Sequence, residues 1–238
     1  MDRFTRRELK HDELQSVYQE FEQFARTHYK EILGIAGAVI VAVGLAAGLK
    51  VYMDRQAEAA NTALGTALKT YRAYVGNLSA NTGFDSQTFP TADSKYKMAL
   101  TQFTAVTRDY PHQRAADIAR YHVGICQSAL GDHAAAAKTL EQASHTSDHT
   151  VASLAMLALA GEYSATGKTA DAAKLYQDLA DHPTLAVPKA TALMALANLD
   201  RASNPAKSRQ IYESLEKEFA SDSSLAALFK EQISDLPK

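Results

Sequence analysis

The pattern of apolar and polar positions divides the chain into a polar tail, one uninterrupted apolar run and a long stretch of helical spacing. The run, Ile32 to Leu49, reads ILGIAGAVIVAVGLAAGL, holds no charge and no proline, and is bracketed by Lys30, Glu31 and Lys50. Its 18 residues, at about 1.5 Å each, make a rod of roughly 27 Å, close to the thickness of bilayer hydrocarbon. A core helix of this length in a soluble protein shows a polar face, and this one shows none. A cleaved signal peptide begins its apolar run soon after a short basic head, whereas about thirty polar residues come first here. The pattern predicts one uncleaved transmembrane helix over 31–50. Within it Gly44 and Gly48 form a small-xxx-small pair that can seat another transmembrane helix, a homodimer included; the plainer account is that such spans are commonly rich in glycine and alanine.

Residues 1–30 read as a tail with its own helix. Thr5 and Glu8 fit a capping box, and Leu14, Val17, Tyr18, Phe21, Phe24 and Ala25 recur at steps that put them on one face. Six basic residues in this tail are matched by six acidic ones, which leaves little attraction to anionic lipid. A protein contact or self-association suits the face as well as a membrane surface does. Arg26 and Lys30 before the run tie with Lys50 and Arg55 after it, but the whole tail carries six basic residues, and a long folded domain translocates largely regardless of its charge. The expectation is a cytoplasmic tail with the remaining domain on the other side.

After the run, Ala57, Ala60, Leu64, Ala67, Leu68, Tyr71 and Val75 continue the helical spacing, predicting a membrane-proximal helix over 51–76 that ends near Gly76 and Asn77. Residues 77–92, with Gly83, Pro90 and several Asn and Ser, read as a loop; the sequon Asn77-Leu78-Ser79 within it carries no weight. From there the chain repeats itself. Gly131-Asp132, Gly167-Lys168 and Ser203-Asn204 stand 36 residues apart. In the same register lie Ala136, Ala172 and Ser208, then Leu140, Tyr176 and Tyr212, then Ala143, Leu179 and Leu215. Ala99, Phe103 and Val106 repeat the second half of this unit earlier. A small residue that lets helices cross closely, followed four positions later by a large one on the same face, is the mark of stacked helical hairpins.

The unit resembles the tetratricopeptide repeat, with Leu159, Ala160, Tyr163, Gly167, Ala172, Tyr176 and Leu179 at the family positions of one copy and Val123, Gly124, Gly131, Ala136, Leu140 and Ala143 in the copy before it. The large first-helix aromatic is missing, the last copy carries Leu196 and Leu199 where Gly and Tyr are usual, and the spacing exceeds the family's roughly 34 residues. The fold expected is all-α: a single N-terminal transmembrane helix followed by an α-solenoid of tetratricopeptide-like helical hairpins over 93–238. A short tail, one span and such a domain together are similar to the YfgM type of inner-membrane protein. That resemblance implies a periplasmic repeat domain associated with the Sec translocon and periplasmic chaperones.

Composition and chemistry change this picture little. The net charge of −2 gives no basic field for nucleic acid. Cys126 stands alone, so neither an internal disulfide nor a multi-cysteine metal site can form. Gly44 to Lys50 lacks the spacing of a phosphate loop. His145 and His149 flank Asp148 but read as solvated turn residues without a third ligand, as do the proline-adjacent His112 and His182. Cys126 has neither a base nor a helix N-terminus to lower its pKa, and Tyr176 and Tyr212 read as packing residues. No cofactor, no metal and no enzymatic activity are expected.

Binding is what remains. A tetratricopeptide register puts Ile118, Tyr121, Ile125, Leu154, Leu157 and Leu193 on the concave face, an apolar groove with only Arg201 as a nearby charge. Such a groove fits an apolar strand, an amphipathic helix or an unfolded segment. A helix of the chain itself, at 57–76 or from Ser224 to Ile233, can equally fill it as a cap. The expected role is a membrane-anchored periplasmic adaptor whose partners are translocon subunits, a membrane-anchored chaperone or unfolded clients. The rival role is a scaffold or regulator of envelope stress or cell division that signals inward through the helix around Tyr18 to Phe24.

Overall fold

The computed structural model describes the backbone of residues 6–76 and 88–237, with side chains from Thr27 onward except at Ile32 and Ala36. The capping-box Thr5, the apolar face of the tail and the sequon lie outside the described residues or side chains. The chain separates into two units, residues 1–55 and 56–238.

The first unit belongs to α1, Arg6–Tyr71, whose backbone leaves helical geometry once, at His28 (φ −110°, ψ 16°). Leu33, Ile40, Val41 and Leu45 are exposed, and a Cβ added at Gly34, Gly37, Gly44 or Gly48 would meet nothing within 4 Å. Polar contacts bracket the apolar run: His28 Nδ1 lies 3.0 Å from Glu31 Oε2, and Lys50 pairs with Asp54 at 3.1 Å. Among the described residues this is the one helix long and apolar enough to cross a membrane.

The second unit is all-α apart from one short bridge. It comprises the last part of α1 from Gln56, then β1 (Tyr74–Val75), β2 (Thr88–Phe89), α2 (Ala92–Asp109), α3 (Arg114–Ala129), α4 (His133–Ser144), α5 (His149–Ala165), α6 (Thr169–Asp181), α7 (Lys189–Asp200), α8 (Pro205–Glu218) and α9 (Ser223–Ser234). From α2 on, each helix packs on the next, and α3 also reaches α5, a helical repeat-like arrangement. The expected helix end near Gly76 comes earlier, at Tyr71. Tyr74 and Val75 are extended and pair in parallel with Thr88 and Phe89, and the Gly76 amide, at φ 112°, donates to Phe89 O at 2.9 Å. Aromatic and β-branched side chains favour that extended pairing, and a positive φ suits glycine.

Two of the three turns in the 36-residue register share one geometry, and the buried positions recur in all three. Gly131 (φ 82°) and Gly167 (φ 78°) end their helices in the same way. The Gly131 amide donates to Ser128 O at 2.9 Å and the Asp132 amide to Gln127 O at 2.9 Å; the Gly167 amide donates to Ser164 O at 3.2 Å and the Lys168 amide to Tyr163 O at 2.8 Å. These paired bonds are a Schellman motif, in which a left-handed glycine satisfies the last carbonyls of a helix. Ser203 carries no positive φ, and the third turn closes through the Asn204 amide on Asp200 O at 2.7 Å instead. Ala99, Ala136, Ala172 and Ser208 are fully buried, as are Phe103, Leu140 and Tyr212, with Tyr176 nearly so. On the first helix of one copy, Gly124 meets Leu140 closely: an added Cβ would lie 2.6 Å from Leu140 Cγ.

Helix starts are fixed locally. Asp132 accepts from the Ala135 amide, Asp148 from Thr150 and Val151, Asn204 from Lys207, and Asp222 from Ser224 and Leu225. Each cap satisfies donors a helix start leaves open, worth about 1 kcal/mol apiece.

Candidate protein-interaction surface

The six residues expected on a concave face come from first helices of successive hairpins: Ile118, Tyr121 and Ile125 on α3, Leu154 and Leu157 on α5, Leu193 on α7. All six are half-buried. Ile118 packs against the cluster of Ala60, Leu64, Phe103 and Val123; Tyr121 and Ile125 against that of Leu140, Ala155 and Leu159; Leu154, Leu157 and Leu193 share the cluster of Leu179, Val187 and Ala192. Leu157 also reaches the cluster of Ala160 and Tyr176, and Leu193 that of Tyr212 and Phe229, so the six are spread over several neighbourhoods and each spends part of its apolar surface joining helices. What each leaves uncovered is the rest of one side chain, enough for apolar contact with a partner and unsuited to gripping a charge. Arg201, the nearby cation, is engaged by the terminal helix, donating to Gln232 Oε1 at 3.0 Å and Asp235 O at 3.1 Å.

Polar side chains tie successive hairpins together. Arg114 Nε donates to Asp148 Oδ2 at 2.6 Å, 34 residues on, and this bond holds the Asp148 carboxyl below the usual carboxylate range. Ser128 Oγ donates to Glu162 Oε1, and His133 Nδ1 lies 2.8 Å from Glu162 Oε2. Glu162 is buried inside α5, where polar atoms need hydrogen-bond partners of this kind. The trio has the residue types of an acyl-transfer triad and the wrong order. Serine and imidazole both bond the carboxylate, so the imidazole is not placed as the base of the serine. Sequence reading missed this trio; its signal is an acid inside the apolar run LALAGEYSA, 34 residues after a serine.

A second feature is an aromatic nest where α1, α2 and α3 meet within the unit. His122 stacks on Phe103 (centroids 4.9 Å, planes 11° apart) and meets Tyr71 at 5.1 Å and Tyr121 at 5.0 Å. Its Nδ1 is buried without a hydrogen-bond partner among the described residues. Burial, with the Arg72 charge adding to it, pulls the imidazole down to about 4, so the ring is neutral near pH 7. Cys126 is buried beside this nest, and burial pushes its thiol up to about 12 against the opposing pull of Lys95. A thiol this far from ionising is a packing group.

His145 caps the end of α4 and His149 begins α5, so the second stands in a helix and not in the turn. Among the described residues no three His, Cys, Asp or Glu side chains gather in a way that could hold a metal ion. A pocket of about 230 Å³ opens on α5, α6 and the connection after them, lined by Ala152, Met156 and Leu179 and by His149, Asp178 and His182, among others. The six half-buried positions are thus apolar, whereas this pocket mixes apolar with ionisable side chains. Gly44 and Gly48, on the apolar part of α1, lie open along the helix. Compared with protein-family models, with curated proteins and with solved structures, the chain matches none.

Proposed function

We propose that this chain is a membrane-anchored adaptor of the YfgM type. Its tetratricopeptide-like domain stands in the periplasm and binds proteins at the Sec translocon, periplasmic chaperones or their unfolded clients. The observation that carries the reading is the recurrence of one turn and one packing register, Gly131 and Gly167 with Ala136, Leu140, Ala172 and Tyr176, downstream of a helix apolar enough to cross a membrane. Arrays of this kind present half-buried apolar side chains from successive first helices, and such a face recognises extended or helical segments of other proteins.

Topology tests it first. A cysteine placed at the exposed Ala170 in a Cys126→Ala background is labelled in intact spheroplasts with a membrane-impermeant maleimide. The reading requires labelling without lysis, followed by co-purification of translocon subunits after mild solubilisation. Labelling only after lysis puts the domain in the cytosol and ends the proposal.

A further inference from the structure

The part of α1 that belongs to the second unit, from Gln56 to Tyr71, is held lightly. The apolar side chains it buries are Ala60, Leu64 and Ala67, packed with Ala99, Phe103 and Val106 of α2 and with Ala119, Val123 and Cys126 of α3, and two of its three are alanines. The large group at its end is Tyr71. Between ring centroids Tyr71 lies 5.9 Å from Tyr96, 6.3 Å from Phe103 and 5.1 Å from His122. His122 in turn stacks on Phe103. One imidazole on α3 therefore touches both the end of α1 and the core of α2.

That imidazole is placed to be neutral. Its Nδ1 is buried without a partner among the described residues. The charge of Arg72 acts on the ring and that of Lys95 on the neighbouring Cys126, and both are positive. The remaining ionisable groups of the nest, Tyr71, Tyr96, Tyr121 and Cys126, are phenols and a thiol, and no described carboxylate acts on the ring. A proton there makes a cation beside a like charge and a buried donor without an acceptor. The ring relieves both only by reaching water, which parts it from Tyr71. His133, by contrast, has a carboxylate oxygen of Glu162 at 2.8 Å.

We infer that protonation of His122 releases the Gln56–Tyr71 segment of α1 from α2 and α3, an acid-operated catch between the long helix and the helical array. The release is local. From α2 on each helix packs mainly on the next, so α4 to α9 keep their contacts when the end of α1 departs. The Arg114 tie to Asp148 outlasts it as well, because that carboxyl is held below the usual carboxylate range.

Cys126, the one cysteine of the chain and wholly buried in the same cluster, reports the opening. The full chain in mild detergent is treated with dithiodipyridine, which reacts with thiols in acid as well as near neutrality. Each rate is divided by that of the urea-unfolded chain at the same pH. A ring that titrates near 6.5 when released and near 4 when packed favours release roughly ten- to twentyfold more at pH 5 than at pH 7, and the normalised rate rises by that factor. Over the same range the amides of α6 to α8 stay protected from hydrogen exchange. Either replacement that cannot take up the proton, His122→Phe or His122→Gln, abolishes the rise. No rise in the natural chain, a rise that persists in both variants, or exchange that spreads through α6 to α8 together with the thiol overturns the inference. Each readout is independent of the side of a membrane on which the domain stands.

Discussion

Glycine plays opposite parts in the two units. Along the apolar part of α1, Gly34, Gly37, Gly44 and Gly48 have open space where a Cβ would stand; in α3, Gly124 has Leu140. Along the apolar part of the first unit the described large side chains, such as Leu33, Ile40, Val41 and Leu45, are exposed, and small residues leave the surface shallow. In the second a small residue is half of a joint, and the large residue opposite is sized to it. The same residue type thus marks a surface in one place and an interior in the other. The neighbour, more than the composition, decides which.

One substitution made in both places sharpens this most. Gly124→Ala forces Leu140, itself fully buried, to move, and overpacking of this kind costs about 2–3 kcal/mol in spite of alanine's better helix propensity. Gly44→Ala meets nothing and leaves the urea midpoint of the repeat unit unchanged. Equal effects at the two positions would dissolve the distinction.

The next effect is read by pH. His122 titrates near 6.5 in an unfolded chain and near 4 in the folded one. Between those values the unfolded state binds a proton that the native state does not, so stability falls as pH drops from about 6.5 to about 4. Discounted for the part of the ring that solvent reaches, the loss is on the order of 2 kcal/mol. His122→Phe keeps the stack on Phe103 and should flatten the acid limb of stability against pH by that amount. An unchanged limb would show that the buried imidazole is not its source.

The smallest effect raises stability. Ser208 stands where the other copies carry Ala136 and Ala172, and its buried Oγ has no hydrogen-bond partner among the described residues. Ser208→Ala removes an unsatisfied group and should stabilise the unit by about 1 kcal/mol in chemical denaturation. A loss of stability would mean that the hydroxyl has a use in the third copy.

The register was legible in the sequence because its positions are the most completely buried: Ala136, Leu140, Ala172 and Tyr212 recur at a spacing that only packing maintains. Gly131 and Gly167 were legible for the same reason, since a left-handed turn needs glycine wherever it recurs. The candidate groove was harder to read. Helical periodicity places Tyr121 or Leu157 on the inner side of a helix, but it does not say whether that side meets a neighbouring helix or water. Each proves to do both. The pair Tyr74–Val75 with Thr88–Phe89 was too short to leave an alternating pattern.

Polar ties such as Arg114 to Asp148 join hairpins one to the next, and from α2 on helices touch mainly those one or two places away in sequence. Pulled from its ends, such a unit yields in sections, because opening the last hairpin removes little that supports the first. Each hairpin of about 35 residues then releases roughly 120 Å of extended chain. Stretching the 56–238 unit in a single-molecule experiment is then expected to give a series of extensions of about that length in place of one.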